Sequence, residues 1–240
     1  MAQRRILITG AGGDVGQAVV ERLRGDYDLV PTDADPDAPE GTRQLDIRDT
    51  EALTAAFEGV DSVIHLAGAA SPESDWDSVL ELNIAGTRNV LEAARRAGVR
   101  RVVYASSNHA IGGYDIDGDW PVTPEMPVRP DSLYGVSKVF GEALGRYYRE
   151  AHGLEFVPLR IGWSSGDWGA ADSEVLRAMW LSEDDTARVF RAALEAESPE
   201  GGPYYATSDN GGRHRWDMSN TIEELGYRPQ DSWEAAAGQR

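Results

Sequence analysis

Tyr134 and Lys138 lie four residues apart and combine a phenol with an ammonium group. On a helix this spacing places both side chains on one face. Lys138 is the only lysine in the 240 residues, so every other strong cation is an arginine. A YxxxK pattern recurs by chance, and a single lysine could be accidental. The other interpretation is that position 138 requires a compact ammonium, which the planar guanidinium of arginine does not replace.

A glycine-rich segment, TGAGGDVG, places Gly10, Gly13 and Gly16 at GxxGxxG spacing. Glycine lets the backbone turn tightly and approach a pyrophosphate, which then lies at the N-terminus of the following helix. Many such patterns are plain turns, but this one follows a predicted strand and opens a predicted helix. The context favours a dinucleotide site, to which we also assign the intervening Asp14 and Val15.

Asp33 ends the second predicted strand, 23 residues after Gly10. A carboxylate at this position accepts both ribose hydroxyls of NAD and repels the 2′-phosphate of NADP. No arginine or lysine follows in residues 33–41 to receive such a phosphate. A solvated acid is the alternative, because Asp35 and Asp37 lie beside it. The pattern favours NAD as the cofactor.

The composition narrows the class of protein. The formal net charge is −18, and such a surface repels nucleic acid and anionic membranes. The chain has no cysteine, and its four histidines lack paired ligand spacing, so we expect no disulfide and no metal site. The aspartates and glutamates are spread along the chain, which has a single lysine. This composition favours the interpretation that the protein is adapted to high salt. The alternative is an ordinary acidic enzyme whose arginines reflect GC-rich coding.

No apolar run reaches 18 residues, and the first residues lead directly into a predicted strand. We therefore expect neither a membrane span nor a signal peptide. The expected location is the cytoplasm, and the expected partner is a small molecule.

Short apolar runs alternate with amphipathic stretches along the first two thirds of the chain. Predicted strands cover 5–10, 27–33, 61–68, 100–107 and 155–162. Predicted helices cover 14–25, 49–59, 76–98 and 131–153. This alternation predicts an α/β fold with a doubly wound, Rossmann-like parallel sheet, whose sites lie beyond the carboxyl ends of the strands.

The pattern loosens after residue 162. The remaining elements are a loop at 163–174, a helix at 184–196, a short strand at 203–208 and a short helix at 221–227. We interpret residues 1–162 as the NAD-binding core and residues 163–240 as a small substrate lobe, packed on the core as one compact unit. Its tryptophans could form a sugar platform, a dimer surface or ordinary core: Trp163, Trp168 and Trp180.

The glycine loop, the serines ending the strand YASSNH and the YxxxK pair together resemble the extended short-chain dehydrogenase/reductase superfamily, also called the NAD-dependent epimerase/dehydratase superfamily. The segments HLAG, LNIAGTRNVLEAA and LRIG fit it too, so the resemblance covers most of the chain. Within the superfamily, SSNHAIGGY, LYGVSK and MWLSEDD are most similar to short sugar 1-dehydrogenases. These include uronate dehydrogenases and the NAD-dependent glucose-6-phosphate dehydrogenases of salt-loving archaea.

The resemblance implies oxidation of the C1 hydroxyl of a cyclic sugar to its lactone, with NAD as hydride acceptor. Tyr134 would take the hydroxyl proton, although free tyrosine has a pKa of roughly 10. The ammonium of Lys138 and the positive nicotinamide would favour the phenolate. Lys138 would also bind the nicotinamide ribose. Ser107 would hold the reacting oxygen, with Ser106 as the alternative catalytic serine.

The resemblance also implies a set of binding residues. The expected cofactor contacts are Gly10, Gly13, Asp14, Val15, Gly16, Asp33, Asp46, Ile47, Leu66, Ala67, Gly68, Asn83, Tyr134, Lys138 and Ile161. The expected substrate contacts are Ser71, Ser106, Ser107, Asn108, His109 and Arg177. Several of these have a structural alternative: Asp46 as a turn or cap residue, Asn83 as a polar residue between helices, and His109 as a loop histidine. Arg160 either lines the nicotinamide side or forms an ion pair at a strand end.

The sequence does not determine which residues bind the end of the substrate that is remote from C1. In the uronate dehydrogenases that the chain resembles, an arginine precedes the tryptophan of a WFS-like motif by five residues; Val175 occupies that position here. Arg177 is the nearest cation, and Arg129, Arg213 and Arg215 are further candidates for binding an anionic group. A uronate, a sugar phosphate and a neutral aldose all stay open.

Two other functions stay open as well. An epimerase or dehydratase would retain its NAD, and a sensor would bind NAD without turnover. The intact serine, tyrosine and lysine argue against the sensor, which has no need of all three. The family resemblance also implies a homodimer or higher homo-oligomer through the two long helices.

Overall fold

The fold is a parallel sheet of seven strands in the order β3-β2-β1-β4-β5-β6-β7. The computed structural model describes residues 3–164 and 173–237. The strands are β1 Arg5–Thr9, β2 Asp28–Asp33, β3 Arg43–Gln44, β4 Ser62–His65, β5 Arg101–Ser107, β6 Glu155–Ile161 and β7 Tyr204–Ala206. The order reverses between β1 and β4, where a Rossmann-like sheet forms its ligand crevice. The predicted doubly wound fold is confirmed.

Helices cover both faces of the sheet. They are α1 Asp14–Leu23, α2 Thr50–Ala56, α3 Trp76–Ser78, α4 Thr87–Ala97, α5 Gly112–Asp117, α6 Leu133–His152, α7 Glu174–Met179, α8 Glu183–Glu195, α9 Ser219–Leu225 and α10 Trp233–Ala237. In the described parts of the chain, no helix is long and apolar enough to cross a membrane.

Alternate residues of the strands feed two separate cores. Ile6 and Ile8 of β1 pack on one face with Phe190 of α8, whereas Leu7 packs on the other with Leu91 of α4. This follows from the two-residue period of a strand, and because helices cover both faces, the central strands β1, β4, β5 and β6 are buried along most of their length. The carboxyl end of β5 then presents two polar side chains, Ser106 and Ser107.

The predicted long helix at 76–98 is not a uniform α-helix. Between α3 and α4, Val79–Gly86 winds as a π-helix. The wide turn carries Asn83 into the interior, where its side chain is buried. Gly86 lies tightly against Ile47, since a Cβ there would come within 2.5 Å of the Ile47 Cδ1. π-Helical turns often occur at functional sites, and this one points towards the loop after β4.

The sheet does not end at residue 162. β7 pairs with β6 in parallel, Leu159 opposite Tyr204, and α8 packs against α1. The chain after residue 162 thus supplies the seventh strand and a covering helix, as well as residues near the cavity. The division into a core and a substrate lobe stays a prediction. Most of the predicted loop at 163–174, with Trp168, lies outside the described residues.

Candidate active site

The glycine loop turns sharply between β1 and α1. Gly10 has φ +73°, and a Cβ there would lie 2.6 Å from the Ala67 nitrogen. A Cβ on Gly16 would lie 2.3 Å from the Gly10 carbonyl oxygen. A Cβ on Gly13 would approach only that same oxygen, at 3.7 Å. Gly10 and Gly16 therefore serve the close packing of the loop, while Gly13 leaves its side of the loop open for a ligand.

Asp33 is fixed at the end of β2 beside this loop. The Gly12 amide donates to Asp33 Oδ2 at 2.8 Å, and the Asp35 amide donates to Oδ1 at 3.0 Å. Two backbone donors thus orient the carboxylate, which lines the same cavity as Gly13. This geometry suits the ribose role that the sequence predicts.

Asp46 and Ile47 also line the cavity, but Asp46 has a partner that the sequence analysis missed. The Arg48 guanidinium donates to Asp46 Oδ2 at 2.6 Å. This hydrogen bond, opposed by burial, lowers the pKa of Asp46. The pairing favours the structural role for Asp46, and it places a cation, Arg48, at the adenine end of the cavity.

A cavity of about 790 Å³ runs from the glycine loop to α5 and α7. The predicted site residues that line it are Gly10, Gly13, Asp14, Val15, Gly16, Asp33, Asp46, Ile47, Leu66, Ala67, Gly68, Ser106, Ser107, Asn108, His109, Tyr134, Lys138 and Ile161. Within the described residues, the lining does not include Ser71, Asn83 or Arg177. The sheet therefore brings most of the predicted set to one edge, as parallel strands do.

Tyr134 and Ser107 meet at the centre of this cavity. Ser107 ends β5, and Tyr134 lies in the first turn of α6, which Ser132 caps by accepting the Gly135 amide at 3.0 Å. Burial raises the pKa of Tyr134, and a hydrogen bond with the Ser107 side chain lowers it. Burial is the larger effect, so Tyr134 is a protonated phenol in the free protein.

Lys138 lies one turn further along α6, between two tyrosine rings. Its Nζ is 5.3 Å from the centroid of the Tyr134 ring and 5.1 Å from that of the Tyr104 ring. It donates to the Ala105 carbonyl at 2.7 Å. Burial lowers the pKa of Lys138 to about 8, and Glu142 opposes this shift. The ammonium therefore has a fixed position and a charge that is easily lost.

Asn83 acts on the site through the backbone. Its Oδ1 accepts the Ala69 amide at 2.7 Å, and its Nδ2 donates to the Ala69 carbonyl at 3.0 Å and to Ser137 Oγ at 2.9 Å. Ser137 in turn donates to the Tyr134 carbonyl at 2.6 Å. Asn83 thus ties the loop after β4 to the helix that carries Tyr134, which supports a bracing role and not direct cofactor contact.

Ser106 and Arg160 share one partner, the Glu142 carboxylate, which the sequence analysis did not identify. The Ser106 hydroxyl donates to Glu142 Oε1 at 2.5 Å, and Arg160 Nη2 donates to Glu142 Oε2 at 2.7 Å. Arg160 is buried and is not part of the described cavity lining. This geometry favours the ion-pair alternative for Arg160 over the nicotinamide alternative. Because Ser106 is engaged by Glu142, Ser107 is the serine available to Tyr134.

The substrate end of the cavity begins at Asn108 and His109, in a short 3-10 turn after β5. Asp131 accepts from His109 Nδ1 through both oxygens, at 2.9 and 3.0 Å. The His109 ring meets the Tyr134 ring edge-on, with centroids 5.6 Å apart. Further lining comes from Asp115. The sequence analysis missed both aspartates: Asp131 has the appearance of a helix-cap residue, and Asp115 belongs to a helix that was not predicted.

The four arginines considered as ligands of an anionic substrate group lie outside the described cavity lining. Arg177 lies over the Trp233 ring, its Cζ 4.4 Å from the centroid, and Arg215 lies over Trp120 at 3.5 Å. Two others form ion pairs, Arg129 with Asp117 and Arg213 with Glu234. None of the four lines the described cavity, whereas Val175 does. The prediction that Arg177 contacts the substrate therefore lacks support in this geometry.

Comparison with known proteins places the chain in a family. Residues 6–181 match the model of the NAD dependent epimerase/dehydratase family. The L-arabinose 1-dehydrogenase (NAD(P)(+)) of Haloferax volcanii is 43% identical, covering 95% of this chain and 97% of that protein. The NAD-dependent glucose-6-phosphate dehydrogenase of the same organism is 38% identical, covering 95% and 93%. A mutant uronate dehydrogenase from Agrobacterium tumefaciens, complexed with NAD, has a TM-score of 0.86 at 34% identity, covering 99% of this chain and 89% of that one.

The fold, the family match and the relatives define an NAD-dependent oxidoreductase of the short-chain type. The chain belongs to the NAD dependent epimerase/dehydratase family, and the resemblance seen in its sequence motifs is confirmed. NAD as the cofactor is also confirmed.

Proposed function

We propose that the protein oxidises the C1 hydroxyl of an uncharged cyclic aldose to its lactone and passes the hydride to NAD. The choice of an uncharged substrate depends on the charges of the cavity wall beyond Ser107. In the described residues this wall holds two carboxylates, Asp115 and Asp131, and apolar side chains of α7, with no arginine. Residues 165–172, outside the described part, contain two aspartates and no arginine or lysine.

The residues at the other end of the cavity fit NAD. The open side of Gly13 and the N-terminus of α1 suit the pyrophosphate, and the oriented carboxylate of Asp33 suits the adenosine ribose. Lys138 would hydrogen-bond the nicotinamide ribose. When bound, NAD⁺ supplies the hydride acceptor and a positive charge beside Tyr134.

The chain's own residues manage the proton. Ser107 holds the substrate O1 and Tyr134 accepts its proton as the hydride leaves C1, so one aldose and one NAD⁺ give one lactone, one NADH and one proton. Burial raises the pKa of Tyr134, and the phenolate therefore depends on the positive charges of Lys138 and the cofactor. Because the side chains of Tyr134 and Lys138 are buried, their charges act with little screening from water.

The acidic wall distinguishes between sugar classes. A carboxylate or phosphate placed there would face like charges with no arginine or lysine among the described residues of that wall, and such juxtaposition costs several kcal/mol. Hydroxyl groups, in contrast, donate readily to carboxylates. Among the similar proteins, one acts on L-arabinose, an uncharged pentose, whereas two act on glucose 6-phosphate or a uronate. The acidic wall supports an uncharged aldose as the substrate of this protein.

The test is NAD reduction on a panel of neutral aldoses, uronates and sugar phosphates in molar KCl. We expect the best aldose to exceed the best anionic sugar by roughly 100-fold in kcat/KM, the equivalent of about 2.7 kcal/mol. A uronate or sugar phosphate that equals the best aldose would refute the proposal. NAD that co-purifies without net NADH formation would indicate an epimerase or dehydratase instead.

A substitution at Val175 tests the same point from the opposite direction. Val175 lines the cavity, so Val175→Arg would add a cation to a wall that has none in its described part. We expect uronate oxidation to rise at least tenfold relative to aldose oxidation, because the anionic group gains a partner. Val175→Leu, which changes size without charge, is the matched control and should leave that ratio unchanged.

We also propose a homodimer or higher homo-oligomer that works at high salt in the cytoplasm. Exposed apolar side chains on the π-helix, on α3 and on α6 support the assembly: Trp76, Leu80, Leu133, Val136 and Tyr147. The net charge of −18 supports the salt requirement. Light scattering and NAD reduction, each across a KCl series, test the assembly and the salt requirement. A monomer at every KCl concentration would contradict the first, and activity independent of KCl would contradict the second.

A further inference from the structure

We propose that Asp131 is a positioning residue, which holds the His109 ring so that its Nε2 accepts a hydrogen bond from a sugar hydroxyl other than the one at C1. The inference deepens the proposed aldose dehydrogenase function and rests on it for the chemical class of the ligand. Asp131 acts through the imidazole of His109.

The contact between Asp131 and His109 determines which ring nitrogen carries the proton. Both carboxylate oxygens of Asp131 lie within hydrogen-bond distance of His109 Nδ1, Oδ2 at 2.9 Å and Oδ1 at 3.0 Å. An ionised carboxylate only accepts hydrogen bonds, so the ring proton lies on Nδ1. In a neutral imidazole the second nitrogen, Nε2, is then an acceptor.

The Nε2 atom of His109 is left for a ligand. His109 lines the cavity, and 28% of its side chain is exposed. In the described part of the chain, Nε2 has no hydrogen-bond partner, and it does not belong to the buried unpartnered polar atoms. A ligand in the cavity can therefore reach this nitrogen, and a hydroxyl is the sugar group that donates to it.

His109 lies beside the groups that would hold the reacting oxygen of the sugar. Its amide donates to Ser107 Oγ at 3.2 Å, and its ring meets the Tyr134 ring edge-on, with centroids 5.6 Å apart. A cyclic sugar whose C1 oxygen is bound between Ser107 and Tyr134 carries its other hydroxyls close by. One of these hydroxyls is the expected donor to His109 Nε2.

The segment before α6 is bound to the turn that carries His109. The Asp131 amide donates to the His109 carbonyl at 3.4 Å, and the Arg129 amide donates to the Ala110 carbonyl at 3.1 Å. A Cβ at Gly112 would overlap with the Asp131 carboxylate, so glycine leaves the room that this carboxylate occupies. An imidazole fixed in this way loses little freedom when it binds a hydroxyl, which favours affinity and selectivity.

Asp131 also has a contact that does not involve His109. The Ser132 hydroxyl donates to Asp131 Oδ1 at 3.0 Å, and Ser132 caps α6. Removal of the carboxylate therefore affects the start of α6 as well as the imidazole. The experiment separates these two effects by reading the His109 ring directly and by combining substitutions.

The position of the ring proton is measured by long-range proton–nitrogen NMR of the nitrogen-labelled full chain at alkaline pH, where imidazole is neutral. The signals that His109→Gln removes identify this ring. We expect the proton on Nδ1 in wild type and a mixture of the two tautomers in Asp131→Ala. A wild-type proton on Nε2, or an unchanged tautomer in Asp131→Ala, would overturn the positioning role. The wild-type measurement does not depend on the folding of any variant.

Kinetics on the best aldose measure the consequence for binding. We expect Asp131→Ala to lower kcat/KM by ~10- to 100-fold, largely through KM, and His109→Gln to cause a similar loss. Adding Asp131→Ala to His109→Gln should cost nothing further, because Asp131 acts through that ring. A loss that adds in full would show that Asp131 acts through α6 instead, and equal activity of Asp131→Ala and wild type would likewise refute the proposal.

Asp117→Ala is the matched control, since Asp117 is an exposed acid that pairs with Arg129 of the same segment, and all these values should stay at the wild-type level. A wild-type enzyme that oxidises only anionic sugars would refute the proposed function. The same pair of substitutions, measured on that anionic sugar, would still report whether Asp131 acts through His109. The two failures are therefore distinguishable.

Discussion

Glu142 and Arg160 form a buried two-pronged ion pair beside Ser106 and Lys138. Arg160 Nε donates to Glu142 Oε1 at 2.8 Å and Nη2 donates to Oε2 at 2.7 Å. Arg160 also donates to the Tyr205 hydroxyl at 3.0 Å. The pair therefore joins α6 to β6 and β7 at the level of Lys138.

Glu142→Gln should destabilise the protein by about 3–5 kcal/mol, because it leaves the Arg160 guanidinium buried without a counter-charge. Urea unfolding measures the change. Glu150→Gln is the control on the same helix: Glu150 pairs with Arg146 at the surface, and its loss should cost less than about 0.5 kcal/mol. A Glu142→Gln effect as small as that of the control would show that the pair contributes little.

Lys138→Arg should reduce kcat by at least ~100-fold while changing stability by less than about 1 kcal/mol. A planar guanidinium does not take the place of a compact ammonium that lies between the Tyr104 and Tyr134 rings and donates to Ala105. Steady-state kinetics and thermal unfolding measure the two effects. Normal turnover by this variant would contradict the role of Lys138; Arg146→Lys, an exposed cation exchange on α6, serves as the control.

Asp33→Asn should lower kcat/KM for NAD by roughly 10- to 100-fold and narrow the preference over NADP. The amide retains an acceptor for the Gly12 amide but loses the charge that receives the ribose hydroxyls and repels a 2′-phosphate. Kinetics with both cofactors give the ratio. The exposed Asp37→Asn should leave the ratio unchanged, and an unchanged ratio in Asp33→Asn would reject the ribose role.

His65 should make the protein less stable in acid. It is buried between Thr9 and Thr87, and burial, with a smaller effect of Lys138, lowers its pKa to about 3. Below pH ~6.5 the unfolded chain takes up a proton that the folded protein refuses, so stability falls by up to about 1.4 kcal/mol per pH unit. The decline from this group continues to about pH 3.

Urea unfolding between pH 7 and pH 4 tests this for wild type and His65→Gln. As the pH falls, the unfolding free energy of the variant should decrease less steeply than that of wild type. The difference in slope should be up to about 1.4 kcal/mol per pH unit, which corresponds to one proton. His152→Gln, at an exposed position, should follow wild type. Parallel curves for wild type and His65→Gln would mean that His65 is protonated in the folded state.

The parts that sequence could predict are those with local signals. The β-α alternation, the glycine turn and the YxxxK spacing each depend on a few consecutive residues, and parallel topology brings the strand ends together. Lining of the cavity by Gly13, Asp33, Ser107, Tyr134 and Lys138 follows from this rule. Charged side chains with distant partners were not predictable, because their choice depends on tertiary packing.

Arg160 illustrates this limit, since its partner Glu142 lies 18 residues earlier on another element. Arg177 illustrates it again, because Trp233, over which it lies, is separated from it by most of the C-terminal region. The π-helix at Val79–Gly86 has no sequence signature that distinguishes it from the expected α-helix. Asp115 lies on a short helix, Gly112–Asp117, that the sequence pattern does not predict, so its place in the cavity lining was not predictable either.

The burial of Lys138 has a consequence for proteolysis. A protease that cuts only after lysine finds a single susceptible bond in the sequence, between Lys138 and Val139, inside α6. The bond is accessible only when that helix opens, so a single cut into two fragments reports the opening of α6. Its rate, with and without NAD, would measure how strongly the cofactor holds that helix closed.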